Sequence, residues 1–124
     1  MLKQPLAFVV EDDDKLSYVF AEAFSSVGYQ TEVIHDGQIA LDRLDAETPY
    51  IILLDMHLPN VSGDRILRVI RTDNRLKKIK VIVASADGRM TSDYEVESLA
   101  DFTLVKPVRY SHLRTLVQRL LPAV

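Results

Sequence analysis

Short apolar runs alternate with amphipathic stretches along the whole chain. The runs have the length of strands, and the stretches between them repeat apolar residues at helical spacing. The pattern predicts five strands, at residues 6–10, 29–34, 50–54, 81–84 and 102–105. It predicts five helices, at residues 15–27, 39–45, 64–71 and 91–99 and from Val108 onward. Strands that alternate with helices are typical of an α/β fold with a parallel sheet.

The predicted strand at residues 50–54 is apolar at every position. Such a run is typical of a central parallel strand that is buried on both faces. Parallel strands need crossover connections, usually helices, which cover the faces of the sheet. We therefore expect one domain, spanning residues 1–124, with an open five-stranded parallel sheet and helices on both faces. No output domain is visible after Pro122, which leaves open whether the chain stands alone or is part of a longer protein.

The apolar positions of two helices recur at helical spacing. The final helix should turn one stripe to the core, consisting of Leu113, Leu116, Val117, Leu120 and Leu121. The first helix carries Leu16, Val19, Phe20, Ala23 and Val27 before Gly28 stops it. Each set recurs at the three- and four-residue intervals of an amphipathic helix.

Composition excludes several classes of function. With 124 residues, 48% hydrophobic and 27% charged, the chain has the size and balance of one soluble globular domain. Its net charge of -3 gives no global reason to bind nucleic acid or an acidic membrane. The absence of cysteine excludes disulfides and thiolate metal sites. The sequence shows no secretory signal and no run long enough to span a bilayer, so we expect the cytoplasm.

Candidate chemistry lies where the predicted strands end. The residues concerned are Glu11, Asp12, Asp13 and Asp14 after the first strand, Asp55 after the third, Ser85 after the fourth and Lys106 after the fifth. The carboxyl ends of parallel strands meet at one edge of the sheet, which is where such folds bind ligands. Carboxylates brought together there repel each other unless a cation compensates them. A site of oxygen ligands alone favours a hard ion such as Mg²⁺.

Asp55 has the surroundings of a nucleophile for phosphoryl transfer. A carboxylate attacks a phosphoryl group when a metal and positive charge neutralise the transferring oxygens. Lys106 would supply a point charge to one phosphoryl oxygen. Ser85 would donate a hydrogen bond to another.

These segments give the chain a family resemblance. They are Phe8-Val9-Val10-Glu11-Asp12-Asp13, Leu53-Leu54-Asp55-Met56-His57-Leu58-Pro59 with Ser62-Gly63, Val81-Ile82-Val83-Ala84-Ser85-Ala86, and Val105-Lys106-Pro107. Over essentially its whole length the chain resembles the receiver domain of two-component response regulators. The resemblance implies a flavodoxin-like (βα)5 fold.

The resemblance also implies roles for individual residues. Asp55 would be the phosphoacceptor, Glu11 and Asp12 the acidic pair that binds Mg²⁺, and His57 the source of a metal-coordinating backbone carbonyl. Ser85 and Lys106 would be the switch hydroxyl and the conserved cation of the family, and the bond from Lys106 to Pro107 would be cis. Implied partners are a sensor histidine kinase or histidine phosphotransfer protein and an unknown output partner. The sequence leaves open whether phosphorylation drives homodimer formation through the last two helices and the last strand.

The chain departs from the family pattern at several positions. The rotating aromatic switch position falls on Thr103, and Phe102 or Tyr94 are the alternative aromatic residues. Leu99 stands where a glycine is usual, and Val108 stands where a phenylalanine is usual. These departures leave the coupling to an output open. The resemblance also implies that the side chains of His57 and Asp87 influence hydrolysis of the acyl phosphate.

Three functions are compatible with an aspartate and a lysine at the strand ends. The first is a signalling module that catalyses only its own phosphorylation and slow dephosphorylation. The second is an aspartyl-nucleophile phosphatase, which needs an acidic residue two positions after the nucleophile and usually a cap insertion, whereas this chain has His57 there and no room for a cap. The third is a degenerate receiver used as a scaffold, suggested by Thr103 and a short fourth helix. The complete acidic site favours the first.

A basic stretch runs along and after the third predicted helix. It consists of Arg65, Arg68, Arg71, Arg75, Lys77, Lys78 and Lys80. Charge runs of this kind usually form a solvated face, and we expect one here. The functional alternative is a docking surface for an acidic partner, whose binding would weaken with salt.

Overall fold

The computed structural model describes residues 4–86 and 94–123. Its strands are β1 (Leu6–Val10), β2 (Gln30–Ile34), β3 (Ile51–Asp55), β4 (Lys80–Ser85) and β5 (Phe102–Val105). Its helices are α1 (Asp14–Ser25), α2 (Gly37–Ala46), α3 (Gly63–Thr72), α4 (Tyr94–Leu99) and α5 (Tyr110–Arg119). Across these ranges, the predicted kinds of element and their order are confirmed. The predicted start of the fourth helix, at Thr91, lies outside the described residues.

The five strands form one parallel sheet in the order β2-β1-β3-β4-β5. Helices α2, α3 and α4 pack on one face of the sheet, while α1 and α5 pack on the other. Every residue of β3 is buried, as its position at the centre of a sheet covered on both sides requires. The predicted architecture is confirmed. In the described part of the chain, no helix combines the length and the apolar character needed to cross a membrane.

Helix α1 buries only some of its apolar positions. Phe20 and Ala23 are buried, but Leu16 and Val19 are 36% and 39% exposed. Phe24 and Ser17 are buried instead. Ser17 tolerates burial because its hydroxyl donates to the carbonyl oxygen of Asp14 at 2.8 Å. Part of the apolar surface of α1 therefore faces solvent.

Tyr29 lies before β2 and not in it, so the predicted start of that strand was one residue early. Its side chain is buried, and its hydroxyl donates to the carbonyl oxygen of Val117 at 2.8 Å. Its ring meets Phe24 edge-on, with centroids 5.3 Å apart, and stacks on Tyr50 at 6.4 Å. Tyr29 therefore joins the end of α1 to α5. Burial raises its pKa, and the neighbouring Tyr50 adds to that effect.

Strand β3 begins at Ile51 and includes Asp55, where the prediction placed residues 50–54. Helix α2 begins two residues earlier than predicted, because the side chain of Asp36 accepts hydrogen bonds from the backbone N–H groups of Gln38 and Ile39. Helix α5 begins at Tyr110, two residues later than predicted. Leu113 and Val117 are buried, and the rest of its predicted stripe is partly buried against the same core, at Leu116, Leu120 and Leu121.

The solvated face predicted for the basic stretch is wrong for Arg71, whereas Arg68 and Arg75 are exposed as predicted. The side chain of Arg71 is 17% exposed and donates to the carbonyl oxygens of Leu99 at 2.6 Å, Lys77 at 2.9 Å and Ile79 at 2.7 Å. It also bonds the carboxylate of Asp101 at 2.9 Å. Two further arginines have partners, Arg68 with Glu95 and Arg75 with Leu44 and Thr48. These arginines connect α3 and the segment after it to other elements.

Candidate functional site

The parallel register brings four predicted residues to one edge of the sheet. Asp55 ends β3 and pairs with Ala84 of β4, and Ser85 ends β4 and pairs with Val105 of β5. Glu11 and Lys106 each follow directly on their strands, β1 and β5. The backbone N–H of Lys106 donates to the carbonyl oxygen of Ser85 at 2.9 Å, and that of Glu11 to Ile34 at 2.9 Å.

A buried ion-pair network lies at this edge. Glu11 is 1% exposed and Asp55 is 4% exposed. The Nζ atom of Lys106 lies 2.5 Å from Oε1 of Glu11 and 3.4 Å from Oδ2 of Asp55. Two buried carboxylates so close together repel each other, and the ammonium group compensates them. Ser85, also predicted for the site, is fully buried at the end of the neighbouring strand.

Burial and neighbouring charges shift the pKa values of Glu11 and Lys106. Burial raises the pKa of Glu11 to about 7, against the opposing effects of hydrogen bonds from Lys106 and from the backbone of Asp13. The nearby charge of Asp55 raises it further. Burial alone would lower the pKa of Lys106, but the hydrogen bond to Glu11 and the charge of Asp55 raise it overall. The lysine therefore stays charged while Glu11 exchanges its proton near neutral pH.

Three carboxylates can hold a metal ion together. Glu11, Asp12 and Asp55 each offer one oxygen, and these oxygens lie within 4.8 Å of one another. They line an open cavity of about 880 Å³, which His57 and Lys106 line as well. Oxygen ligands of this number, with room for water and a phosphoryl group, fit the requirements of Mg²⁺. The donor set therefore agrees with the predicted magnesium site.

Asp13, another of the acidic residues after the first strand, has a structural role beside the site. Asp13 caps α1, since its Oδ1 accepts from the backbone N–H of Leu16 at 2.8 Å. Its own backbone N–H donates to Oε2 of Glu11 at 3.2 Å. Asp13 thus fixes the turn between β1 and α1 and helps to orient Glu11.

The loop between β3 and α3 returns to the end of β3. The backbone N–H of His57 donates to Oδ1 of Asp55 at 3.1 Å, and the N–H of Gly63 donates to the carbonyl oxygen of Met56 at 3.1 Å. A Cβ atom on Gly63 would lie 2.2 Å from the carbonyl oxygen of Asp55, so only glycine fits. The loop therefore holds His57 next to Asp55, with the His57 side chain exposed.

Sequence reasoning missed His35, which follows β2. Its Nδ1 lies 2.9 Å from the carbonyl oxygen of Glu11, and its Nε2 lies 3.7 Å from Oδ1 of Asp14. The rule that found the other residues, that carboxyl ends of parallel strands share an edge, would have found it too. No acidic residue ends the second strand, so the pattern of acidic strand ends does not point to His35.

Thr103, at the predicted switch position, and Phe102, one of the two alternative aromatic residues, lie on opposite faces of the sheet. Phe102 pairs with Ile82 and Thr103 with Val83, and these partners belong to the cores on opposite faces. Phe102 therefore does not occupy the place of Thr103. The side chain of Tyr94, the other alternative, lies outside the described residues.

Two other predictions concern the same edge of the sheet. Asp87, predicted to influence hydrolysis of the acyl phosphate, lies outside the described residues. The predicted cis bond between Lys106 and Pro107 is present.

Comparison with known proteins places these features in context. A family model described as the response regulator receiver domain matches residues 7–118. Sporulation initiation phosphotransferase F of Bacillus subtilis (strain 168) is 31% identical over 115 residues, which cover 92% of this chain and 91% of that protein. Sensor histidine kinase TmoS of Ectopseudomonas mendocina is 30% identical over 120 residues, which cover 95% of this chain but 12% of the kinase. The matched segment thus makes up nearly all of one relative and a small part of the other.

A solved structure of another protein has a similar fold. The chemotaxis response regulator CheY4 of Vibrio cholerae superposes with a TM-score of 0.85 at 21% sequence identity. The match covers 96% of this chain and 100% of that chain. The polypeptide therefore has the same arrangement of strands and helices as that regulator.

Proposed function

Because the chain belongs to the response regulator receiver domain family, we propose that Asp55 accepts a phosphoryl group and that this modification changes which partner the domain binds. The donor is a phosphohistidine of a sensor histidine kinase or histidine phosphotransfer protein. The observation that carries the proposal is the position of the Asp55 carboxylate, at the open edge of the sheet and 3.4 Å from the Lys106 ammonium group. The proposed place of action is the cytoplasm.

The transfer forms one bond and breaks another. An oxygen of the Asp55 carboxylate bonds to phosphorus while the phosphorus–nitrogen bond of the phosphohistidine breaks, and the leaving imidazole keeps the electron pair and takes up a proton. The product is an aspartyl phosphate. Lys106 would stabilise negative charge on the phosphoryl oxygens, and Ser85 would donate a hydrogen bond to one of them.

Glu11, Asp12 and Asp55 would hold Mg²⁺, together with the backbone carbonyl of His57. The ion would neutralise charge on the phosphoryl oxygens. Lys106 must loosen its contact with Glu11 so that Lys106 can reach a phosphoryl oxygen and Glu11 can bind the ion. Asp12 is exposed, so the phosphoryl group can enter the site from solvent. Slow hydrolysis of the aspartyl phosphate would return the domain to its first state. The domain would act as a signalling switch, without conventional enzymatic turnover.

Intact-mass spectrometry after incubation with acetyl phosphate tests the proposal. Wild-type protein should gain the mass of one phosphoryl group when Mg²⁺ is present and none when it is chelated. Asp55→Asn should gain none under either condition. The matched control is Asp13→Asn, because Asp13 lies close to the site but caps α1, and asparagine caps a helix equally well. Wild-type protein that gains no mass with Mg²⁺, or Asp55→Asn that gains as much as wild type, would refute the proposal.

A further inference from the structure

The start of α2 is tied to the tip of the loop between β3 and α3. The side-chain amide of Asn60 donates a hydrogen bond to Oδ2 of Asp36, the residue that caps α2. Beside it, the backbone N–H of Gly37 donates to the carbonyl oxygen of Pro59 at 3.1 Å. Two segments that are 24 residues apart in sequence thus form one unit.

Asp36 uses both of its carboxylate oxygens. Oδ1 accepts from the backbone N–H groups of Gln38 at 2.8 Å and Ile39 at 3.0 Å, while Oδ2 accepts from Asn60. These donated hydrogen bonds, that of Ile39 first, hold the pKa of Asp36 below its usual value. The carboxylate therefore stays ionised, which strengthens its bond to the loop.

The backbone of the loop is shaped for this contact. Asn60 has a φ of 71°, and within residues 4–86 and 94–123 it is the one non-glycine residue in the left-handed region. Asparagine tolerates that region better than most residues. A Cβ atom on Gly37 would lie 1.9 Å from the carbonyl oxygen of Val61, so the two backbones pack directly against each other.

The same loop carries backbone groups of the candidate metal site. It starts after Asp55, and its second residue, His57, donates its backbone N–H to the Asp55 carboxylate. The bond from Gly63 to Met56 closes the base of the loop. Asn60 lies three residues beyond His57, at the opposite end from this base. The loop is thus held at its base by the site and at its tip by α2.

We propose that Asp36 and Asn60 are positioning residues for the metal site, because the hydrogen bond between them fixes the loop that presents the His57 backbone to Asp55. The inference rests on the proposed function, and it extends the site to a helix that contributes no ligand. A loop that is ordered before the ion binds loses less conformational freedom on binding. Groups that orient metal ligands typically contribute about 10- to 100-fold to metal affinity.

Two substitutions remove the bond and keep the local structure. Asp36→Ser retains a good N-cap residue whose side chain is too short to reach Asn60. Asn60→Gly retains access to positive φ and removes the amide. The matched control is Gln38→Ala, on the same turn of α2, which removes only an exposed side-chain bond to Asp42.

The dissociation constant for Mg²⁺, measured by calorimetric titration without any phosphodonor, tests the proposal. Each single variant should bind Mg²⁺ about 10-fold more weakly, while Gln38→Ala should bind as wild type does. The double variant should be no weaker than either single variant, because both remove the same bond. Amide hydrogen exchange at Val61 and Gly63 should be faster in the metal-free single variants than in wild type.

Three outcomes would overturn the inference. They are unchanged Mg²⁺ affinity in both single variants, losses that multiply in the double variant, and wild-type protein that binds no Mg²⁺. Failure of the proposed function looks different. In that case wild-type protein binds Mg²⁺ and the variants bind it more weakly, but acetyl phosphate does not modify Asp55, and the positioning role stands.

Discussion

The Nζ atom of Lys106 lies 2.5 Å from Oε1 of Glu11, a residue 95 positions earlier in the chain. The contact places a cation between Glu11 and Asp55, whose Oδ2 is 3.4 Å from the same nitrogen. Since Glu11 is also a candidate metal ligand, under the proposed function the ammonium group and a metal ion would compete for its carboxylate. Lys106 compensates the charges of Glu11 and Asp55 in this structure, and it would become available to a phosphoryl group once a metal binds Glu11.

Lys106→Met removes the charge and keeps an apolar side chain of similar length. We expect phosphorylation by acetyl phosphate to slow by on the order of 10²-fold, the usual effect of losing one charged or hydrogen-bonding stabiliser of a transition state. Time-resolved intact-mass spectrometry at saturating Mg²⁺ measures the rate. Lys15→Met is the control, because Lys15 lines the same cavity but is exposed. Equal rates for Lys106→Met and wild type would exclude the assigned role.

Mg²⁺ affinity should depend on pH because burial raises the pKa of Glu11 to about 7. Below that pH the carboxyl group is protonated and the proton competes with the metal, so affinity rises as pH rises. A single group with this pKa predicts binding about 10-fold weaker at pH 6 than at pH 8. Titration calorimetry across this range measures the effect. In Glu11→Gln the dependence should disappear, and a slope that persists there would assign the titration to another group.

Gly37→Ala should destabilise the fold, since its Cβ atom would lie 1.9 Å from the carbonyl oxygen of Val61. The backbone must shift to relieve the contact, and overpacking of this kind costs roughly 1–3 kcal/mol. Urea denaturation of the metal-free protein gives the free energy of unfolding. Gln38→Ala, at the next, exposed position, should change it by less than about 0.5 kcal/mol. A stable Gly37→Ala protein would show that α2 and the loop are free to separate.

Arg71→Lys should lower the free energy of unfolding by about 2–3 kcal/mol, although the charge is kept. The guanidinium group bonds three backbone carbonyls and Asp101 at once, and a lysine ammonium group cannot reproduce that planar geometry. Arg65→Lys, on the exposed side of the same helix, is the control and should have little effect. Urea denaturation compares the two variants. Equal stabilities would mean that the Arg71 contacts contribute nothing beyond charge.

Sequence patterns predicted the fold because the signals lie within single elements. The run Ile51–Asp55 is apolar up to its last residue, and such a run is typical of a strand buried on both faces. Helix boundaries were less well predicted, because capping and end contacts set them. Asp36 caps α2, so that the helix begins at Gly37, two residues before the apolar position Ile39.

The spacing of apolar residues predicted helix α1 but does not by itself say which of its apolar positions are buried. The helix has enough apolar residues to form two overlapping stripes, one containing Leu16 and Val19 and one containing Phe24. Which stripe is buried depends on the neighbouring helix, α5, and on Ser17 satisfying its own hydroxyl. Hydrophobic periodicity describes one helix at a time and does not include that neighbour.

The sequence by itself determined the order of strands and helices and brought the acidic and basic candidates to one edge, because parallel strands must align their carboxyl ends. The tertiary structure alone decided the contacts between distant segments. These are the ion pair of Lys106 with Glu11, the hydrogen bond from Asn60 to Asp36, and the hydrogen bonds from Arg71 to three backbone carbonyl oxygens and Asp101. Each depends on distances of a few ångströms between elements whose packing no local pattern specifies, because hydrogen bonds and ion pairs form only at such short range.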